Sequence, residues 1–186
     1  MRRIAGAAIA AVSLGSVLAA ALAWFGLPQH AAATATAPVW TEVTWPFPVD
    51  PWGKGKAFRC SAADCGTEVK IYLRAKMGFC NCTTGVADDD DLDRMGDLVL
   101  VGEATPLGTG RPISIAWMKG RSRAYALNAR NQPGKTAISV VFNERCDMIA
   151  ATAVLGHDRP AATERSVIEF LNGDRVMRWA EVTLGL

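Results

Sequence analysis

The chain has 186 residues, with 20 Lys or Arg against 18 Asp or Glu and a formal net charge of +2. That length suits one ordinary domain with an appended segment. An apolar fraction of 50% excludes a disordered acidic or basic chain. Five cysteines are too few for a disulfide-dense miniprotein, but they matter in an oxidising compartment.

Arg2 and Arg3 precede an uncharged apolar run from Ile4 to Leu27, which Pro28 ends. This is the pattern of a targeting segment. As a helix the run spans about 36 Å, enough to cross a bilayer. Ala31 to Ala37 offers small-x-small cleavage sites, of which Ala35 is the favoured end. Residues 1–35 are therefore read as a signal peptide or an N-terminal membrane anchor. Either reading places the body outside the cytoplasm, periplasmic or extracellular, because the two arginines hold the N-terminus inside. Membrane contact, if the leader stays uncleaved, is through residues 4–27 alone. The leader also carries two of the bases and none of the acids, which leaves the body at 18 against 18. A neutral body argues against a nucleic-acid binder or a basic membrane binder.

Residues 36–58 read as an extended arm. Pro38, Pro46, Pro48 and Pro51 disfavour helix there, and Trp40, Trp45, Phe47, Trp52 and Phe58 are interleaved with them. Trp40, Trp45 and Trp52 form a candidate aromatic surface for a glycan or a protein. The competing expectation is that these rings pack on the core.

Residues 59–186 read as a single α+β domain. Val69, Ile71, Leu73 and Ala75 alternate with Glu68, Lys70, Tyr72, Arg74 and Lys76, so a half-buried strand with a solvated basic face is expected. Asp88 to Gly96 predicts a short helix whose acidic start suits the positive end of its dipole, in solvent. Leu98 to Val101 predicts a short strand. Ile113, Ile115 and Trp117 alternate into Lys119-Gly120-Arg121, a predicted hairpin turn before Arg123 to Leu127. A loop over residues 126–135 follows. Thr136 to Phe142 and Met148 to Leu155 predict two strands joined near Asn143-Glu144-Arg145. Pro160 opens a helix with Gly173 at its end, and Asp174 caps a last helix carrying Val176, Trp179, Ala180 and Val182 on one stripe. The expected architecture is an antiparallel sheet with the C-terminal helices packed on one face, behind the N-terminal leader helix.

In an exported protein the five cysteines are disulfide candidates: Cys60, Cys65, Cys80, Cys82 and Cys146. Sequence alone does not choose the pairing. Cys80 and Cys82 are too close to make an unstrained bond, so each is expected to seek another partner. Cys60 or Cys65, at the other end of the Glu68 to Lys76 strand, are the near candidates, and Cys146 can reach back from the later sheet. Alternatively, Cys146 is a buried free thiol. Cys80 and Cys82 also form a Cys-x-Cys, which as two thiolates suits Cu(I) or disulfide exchange. Phe79-Cys80-Asn81-Cys82 resembles the motif of the copper-delivery factors of cytochrome oxidase assembly. That resemblance implies Cu(I) as cargo. It covers these few residues, with Asn81 and Thr83 standing where that family carries aromatics.

Other chemistry is sparsely supplied. The run Asp88 to Asp93 fails as an EF-hand loop, with Arg94 where Gly is needed and Leu100 where Glu is needed. His30 lies in the leader, so His157 is the body's histidine. A multi-histidine metal site within one chain is thereby excluded. Neither a Gly-x-Ser-x-Gly elbow nor a P-loop occurs. The sequence favours a non-catalytic envelope protein that binds or helps assemble an unidentified envelope protein or ligand. No resident cofactor is called for, and the alternative is a Cu(I)-handling or thiol-exchange protein.

Overall fold

A computed structural model describes residues 38–78, 82–128, 134–156 and 160–186. The leader, Cys80, the loop residues 129–133 and His157 lie outside the described residues. One antiparallel sheet of eight strands organises the rest. The strands are β1 (Trp40–Val43), β2 (Lys56–Cys60), β3 (Val69–Lys76), β4 (Ala104–Pro106), β5 (Arg111–Ile115), β6 (Met118–Leu127), β7 (Thr136–Glu144) and β8 (Asp147–Leu155). Their spatial order is β1-β2-β3-β8-β7-β6-β4, and β5 also pairs with β6. The helices are α1 (Ala62–Cys65), α2 (Asp89–Met95), α3 (Pro160–Leu171) and α4 (Asp174–Leu184). The fold is therefore α+β. No helix among the described residues is long and apolar enough to cross a membrane.

The alternation of β3 sends Val69, Ile71 and Leu73 to the main core, with Ala75 packed at its margin. On that face Phe58, Ile138, Phe142, Ile149 and Leu155 meet Val167 and Leu171 of α3 and Val176 and Ala180 of α4. The C-terminal helices thus cover one face. The opposite face is covered too, by α2 and the turn before it. There Val86 and Leu92 pack on Val141, Met148 and Ala150. Two covered faces explain the unbroken Val, Ile and Ala runs of β7 and β8, which are buried almost throughout.

Five local expectations are corrected. Leu98–Leu100 is a turn of 3-10 helix and not a strand. It follows Asp97, which the sheet holds fast, and Gly102 then redirects the chain with φ 126°. Lys119-Gly120-Arg121 lies inside β6, and the hairpin turns at Ala116–Trp117, because Ile115 pairs with Met118. Gly120 serves close packing: a Cβ there would stand 2.1 Å from the Val141 carbonyl oxygen and 2.7 Å from Phe142 Cα. Gly120→Ala is accordingly expected to lower stability by about 1–3 kcal/mol, read as an earlier denaturant midpoint. Asp174 is the first residue of α4, and Gly173 occupies the cap position in extended backbone. Val182 is 84% exposed, because the buried stripe runs through Val176, Met177, Ala180 and Leu184. Residues 38–58, read as an arm, supply β1 and most of β2 to the same sheet.

Candidate functional site

The second face of the sheet is unusual in its charge. Successive outward positions of β3 and β6 carry Arg74, Lys76, Arg121, Arg123 and Tyr125. The expected solvated basic face is corrected here: Arg74 is only 3% exposed and Lys76 is also buried. Arg74 grips Asp97 with two hydrogen bonds, Nε to Oδ2 at 2.8 Å and Nη2 to Oδ1 at 2.5 Å, and Nη1 donates to Asp50. Lys76 Nζ lies 2.9 Å from Asp97 Oδ1 and donates to the Met95 carbonyl. Burial pulls the Arg74 guanidinium toward neutrality, but Asp97 and Asp50 outweigh it and keep the group charged.

The acidic run over α2 supplies counter-charges to Arg121 and Arg123 of β6, so its reading as a solvated helix start is corrected for Asp89 and Asp91, whereas Asp88, Asp90 and Asp93 are exposed. Asp88 caps the helix by accepting the Asp91 N–H at 2.8 Å. Asp89 accepts from Arg121 Nη2 at 2.6 Å and from the Gly110 N–H at 2.8 Å. Asp93 accepts from Tyr125 Oη and from Arg123 Nη1. Burial, then the Asp93 carboxylate, raises the Tyr125 phenol above its ordinary value. Asp91 takes the Ala87 N–H and Arg94. These carboxylates point to different partners, and among the described residues no group of three or more His, Cys, Asp or Glu is arranged to hold a metal ion.

This arrangement has a pH signature. The Gly110 N–H, then Arg121, holds the Asp89 carboxyl below the usual range. Below its unfolded pKa of about 3.9 the unfolded chain takes up the proton first, so stability falls as acid is added. Above that pH the contribution is fully present. Asp89→Asn is expected to flatten the slope of stability against pH below about pH 4, measured by denaturation at fixed ionic strength.

Both cross-links lie where strands end or turn. Cys60, at the end of β2, bonds Cys65 across α1, with Cα atoms 6.0 Å apart. Ser61 caps that turn by accepting the Asp64 N–H. Cys82 bonds Cys146, the second residue of the β7–β8 turn, with Cα atoms 4.2 Å apart. Cys60 and Cys65 therefore pair with each other, not with the Cys-x-Cys. The expectation that Cys146 reaches back across the sheet holds, and Cys146 is not a free thiol. Cys82 is not an available thiolate while that bond stands.

The three candidate arm tryptophans are not gathered on one surface. Trp40 packs on Phe170 of α3, with ring centroids 4.5 Å apart. Trp45 meets Phe47 and Tyr72 edge-on on the opposite face of the sheet. Trp52 remains largely exposed, with Lys76 Nζ 5.7 Å from its ring centroid. A ring outside the arm is more accessible: Trp117, at the tip of the β5–β6 hairpin, is 53% exposed. It borders an open groove of about 290 Å³, lined also by Cys82, Thr83, Lys119, Asn143 and Arg145. Sequence reasoning placed Trp117 inside a strand because it assigned the turn to Gly120.

These features define a class of protein, an antiparallel α+β domain held by two disulfides and an ionic layer. No protein-family model, no curated protein and no solved structure matches the chain.

Proposed function

We propose that the chain is an exported envelope protein acting as a binding or assembly module outside the cytoplasm. The observation that carries this reading is the pair of disulfides, Cys60–Cys65 and Cys82–Cys146. Such bonds form and persist in oxidising compartments. The basic, uncharged-apolar and small-residue order of residues 1–35 supports the same reading. The ion pairs over the second face have a structural role, holding α2 to the sheet.

Cell fractionation with mass mapping of unreduced peptides tests this. The expected result is the body in an extracytoplasmic fraction with both bonds intact. Cytosolic protein with reduced Cys60, Cys65, Cys82 and Cys146 would overturn it.

A second reading rests on the exposure of Cys82, whose bond to Cys146 holds it against the β7–β8 tip. Reduction of its bond to Cys146 would make Cys80 and Cys82 two soft ligands for Cu(I). Titration of the reduced chain with Cu(I) tests it. Stoichiometric uptake lost in Cys80→Ser supports this reading, and no uptake by the reduced chain removes it.

A further inference from the structure

Two hairpin tips meet at the same end of the sheet, and they are built alike. In β5–β6 the turn residues are Ala116 and Trp117; in β7–β8 they are Arg145 and Cys146. The register Lys119–Asn143 places the two tips side by side. In each turn the first residue has positive φ, 48° at Ala116 and 53° at Arg145. Glycine normally occupies such positions, since a side chain there carries a steric cost. These two are the positive-φ residues other than glycine among the described residues. Strain of this kind concentrates where geometry serves a site.

The strain has a visible product. Ala116 turns the chain so that Trp117 projects into solvent, and the turn is pinned by the Ala116 N–H donating to Asn172 Oδ1 at 2.7 Å. At the other tip Asn143 is a positioning residue. Its Oδ1 accepts the Val86 N–H, and its Nδ2 donates to the Arg145 carbonyl at 3.2 Å. Gly85 permits this approach, because a Cβ there would lie 2.2 Å from Asn143 Oδ1. The Cys82–Cys146 bond ties the same turn to the same tip. A fixed floor thus carries an exposed indole and two exposed cations, Lys119 and Arg145, on one groove. The Arg145 side chain is 86% exposed and pairs only at 3.9 Å with Glu144, which also lines the groove, so its guanidinium keeps donors free for a ligand.

We propose that this groove binds a carboxylated saccharide, with the sugar ring stacked on Trp117 and its carboxylate held by Arg145 and Lys119. The proposal rests on the extracytoplasmic reading above and names the ligand class of that module. An indole face suits the C–H face of a sugar, and a guanidinium suits a carboxylate. The remaining lining is mostly polar, which disfavours an apolar peptide. The neutral body lacks the basic field a nucleic acid would need.

The test uses the full chain, purified with its disulfides intact, and follows the Trp117 indole N–H resonance, assigned with Trp117→Phe. Oligogalacturonate, a neutral oligosaccharide, polyglutamate and a single-stranded oligonucleotide are the probes. Oligogalacturonate alone is expected to shift that resonance saturably. Trp117→Ala, which lacks the reporting indole and is followed by calorimetric titration instead, is expected to bind about tenfold more weakly, consistent with an aromatic anchor. Arg145→Gly is expected to raise Tm, by relieving the left-handed position, while reducing binding to the level of the neutral sugar. No shift with oligogalacturonate, or an equal response to polyglutamate or the oligonucleotide, would overturn the proposal. An unchanged Tm in Trp117→Ala separates lost binding from lost fold. Fractionation is independent of affinity, so failure here leaves the compartment reading standing, and the converse also holds.

Discussion

Asp97→Ala is expected to cost about 3–5 kcal/mol of folding stability, the penalty of leaving a buried charge unpaired. Asp97 receives two hydrogen bonds from Arg74 and lies 2.9 Å from Lys76, with both cations buried against the sheet. Removing its carboxylate strands those charges where water cannot replace it. Asp50 retains its contact with Arg74 but not with Lys76, so the rescue is partial. The double variant Arg74→Met with Asp97→Leu is expected to lose less than Asp97→Ala alone. Apolar replacement of a whole buried pair avoids the desolvation that the pair itself must offset. Guanidinium denaturation of the three proteins checks both statements. A double variant weaker than the single would show that the layer contributes net stability and not merely mutual compensation.

Removing Cys82–Cys146 is the second large effect. Its cysteines are 64 residues apart in sequence, whereas Cys60 and Cys65 are separated by 5. A cross-link restricts the unfolded chain more when it closes a longer loop. The double variant Cys82→Ala with Cys146→Ala is expected to lose about 4 kcal/mol, and Cys60→Ala with Cys65→Ala about 2 kcal/mol from loop closure. Using pairs avoids a leftover thiol that can mispair. Against a total of about 5–15 kcal/mol for an ordinary domain, the first loss is large. Equal losses from the two pairs would contradict the loop-closure account. The two predictions concern the same region, because the Cys82 bond and the Asp97 pair fasten opposite ends of the segment that carries α2.

That segment shows why sequence reasoning stopped where it did. The Asp88 to Asp93 run and the basic positions of β3 each resemble a solvated surface alone, yet the run pairs with Arg121 and Arg123 of β6, and Arg74 and Lys76 of β3 pair with Asp97. Neither pattern carries information about its partner, since charge complementarity between distant segments appears only when the topology lays one over the other. A hint existed in β7 and β8, whose apolar runs lack alternation. Strands of that kind are covered on both faces, so something besides the C-terminal helices had to pack on the sheet. Gly120 misled for a related reason. Glycine marks a turn or a close approach, and only the position of Val141 and Phe142 distinguishes them.

The candidate surface at the hairpin tips was even less legible. In the sequence Trp117 closes an alternating run and Arg145 belongs to a turn. Their shared left-handed neighbourhood comes from two-residue turns whose register depends on strand pairing. The arm tryptophans drew attention by their number, yet β1 pairing places Trp40 against α3 while Trp45 lies beside Tyr72 on the other face.

What the amino-acid sequence determined by itself is whatever depends on near neighbours. Period-two alternation set the faces of β3, helical spacing with Pro160 and Gly173 set the last two helices, and charge counting showed residues 36–186 to be neutral. The tertiary structure decided the partners, Cys60 with Cys65, Cys82 with Cys146 and Arg74 with Asp97, and brought Trp117 and Arg145 to one groove. Local patterns encode an element because its hydrogen bonds and side-chain directions repeat within a few residues. Pairings across the sheet encode nothing locally, because the contact is made only after the chain has closed loops of many residues and buried both faces of β7 and β8.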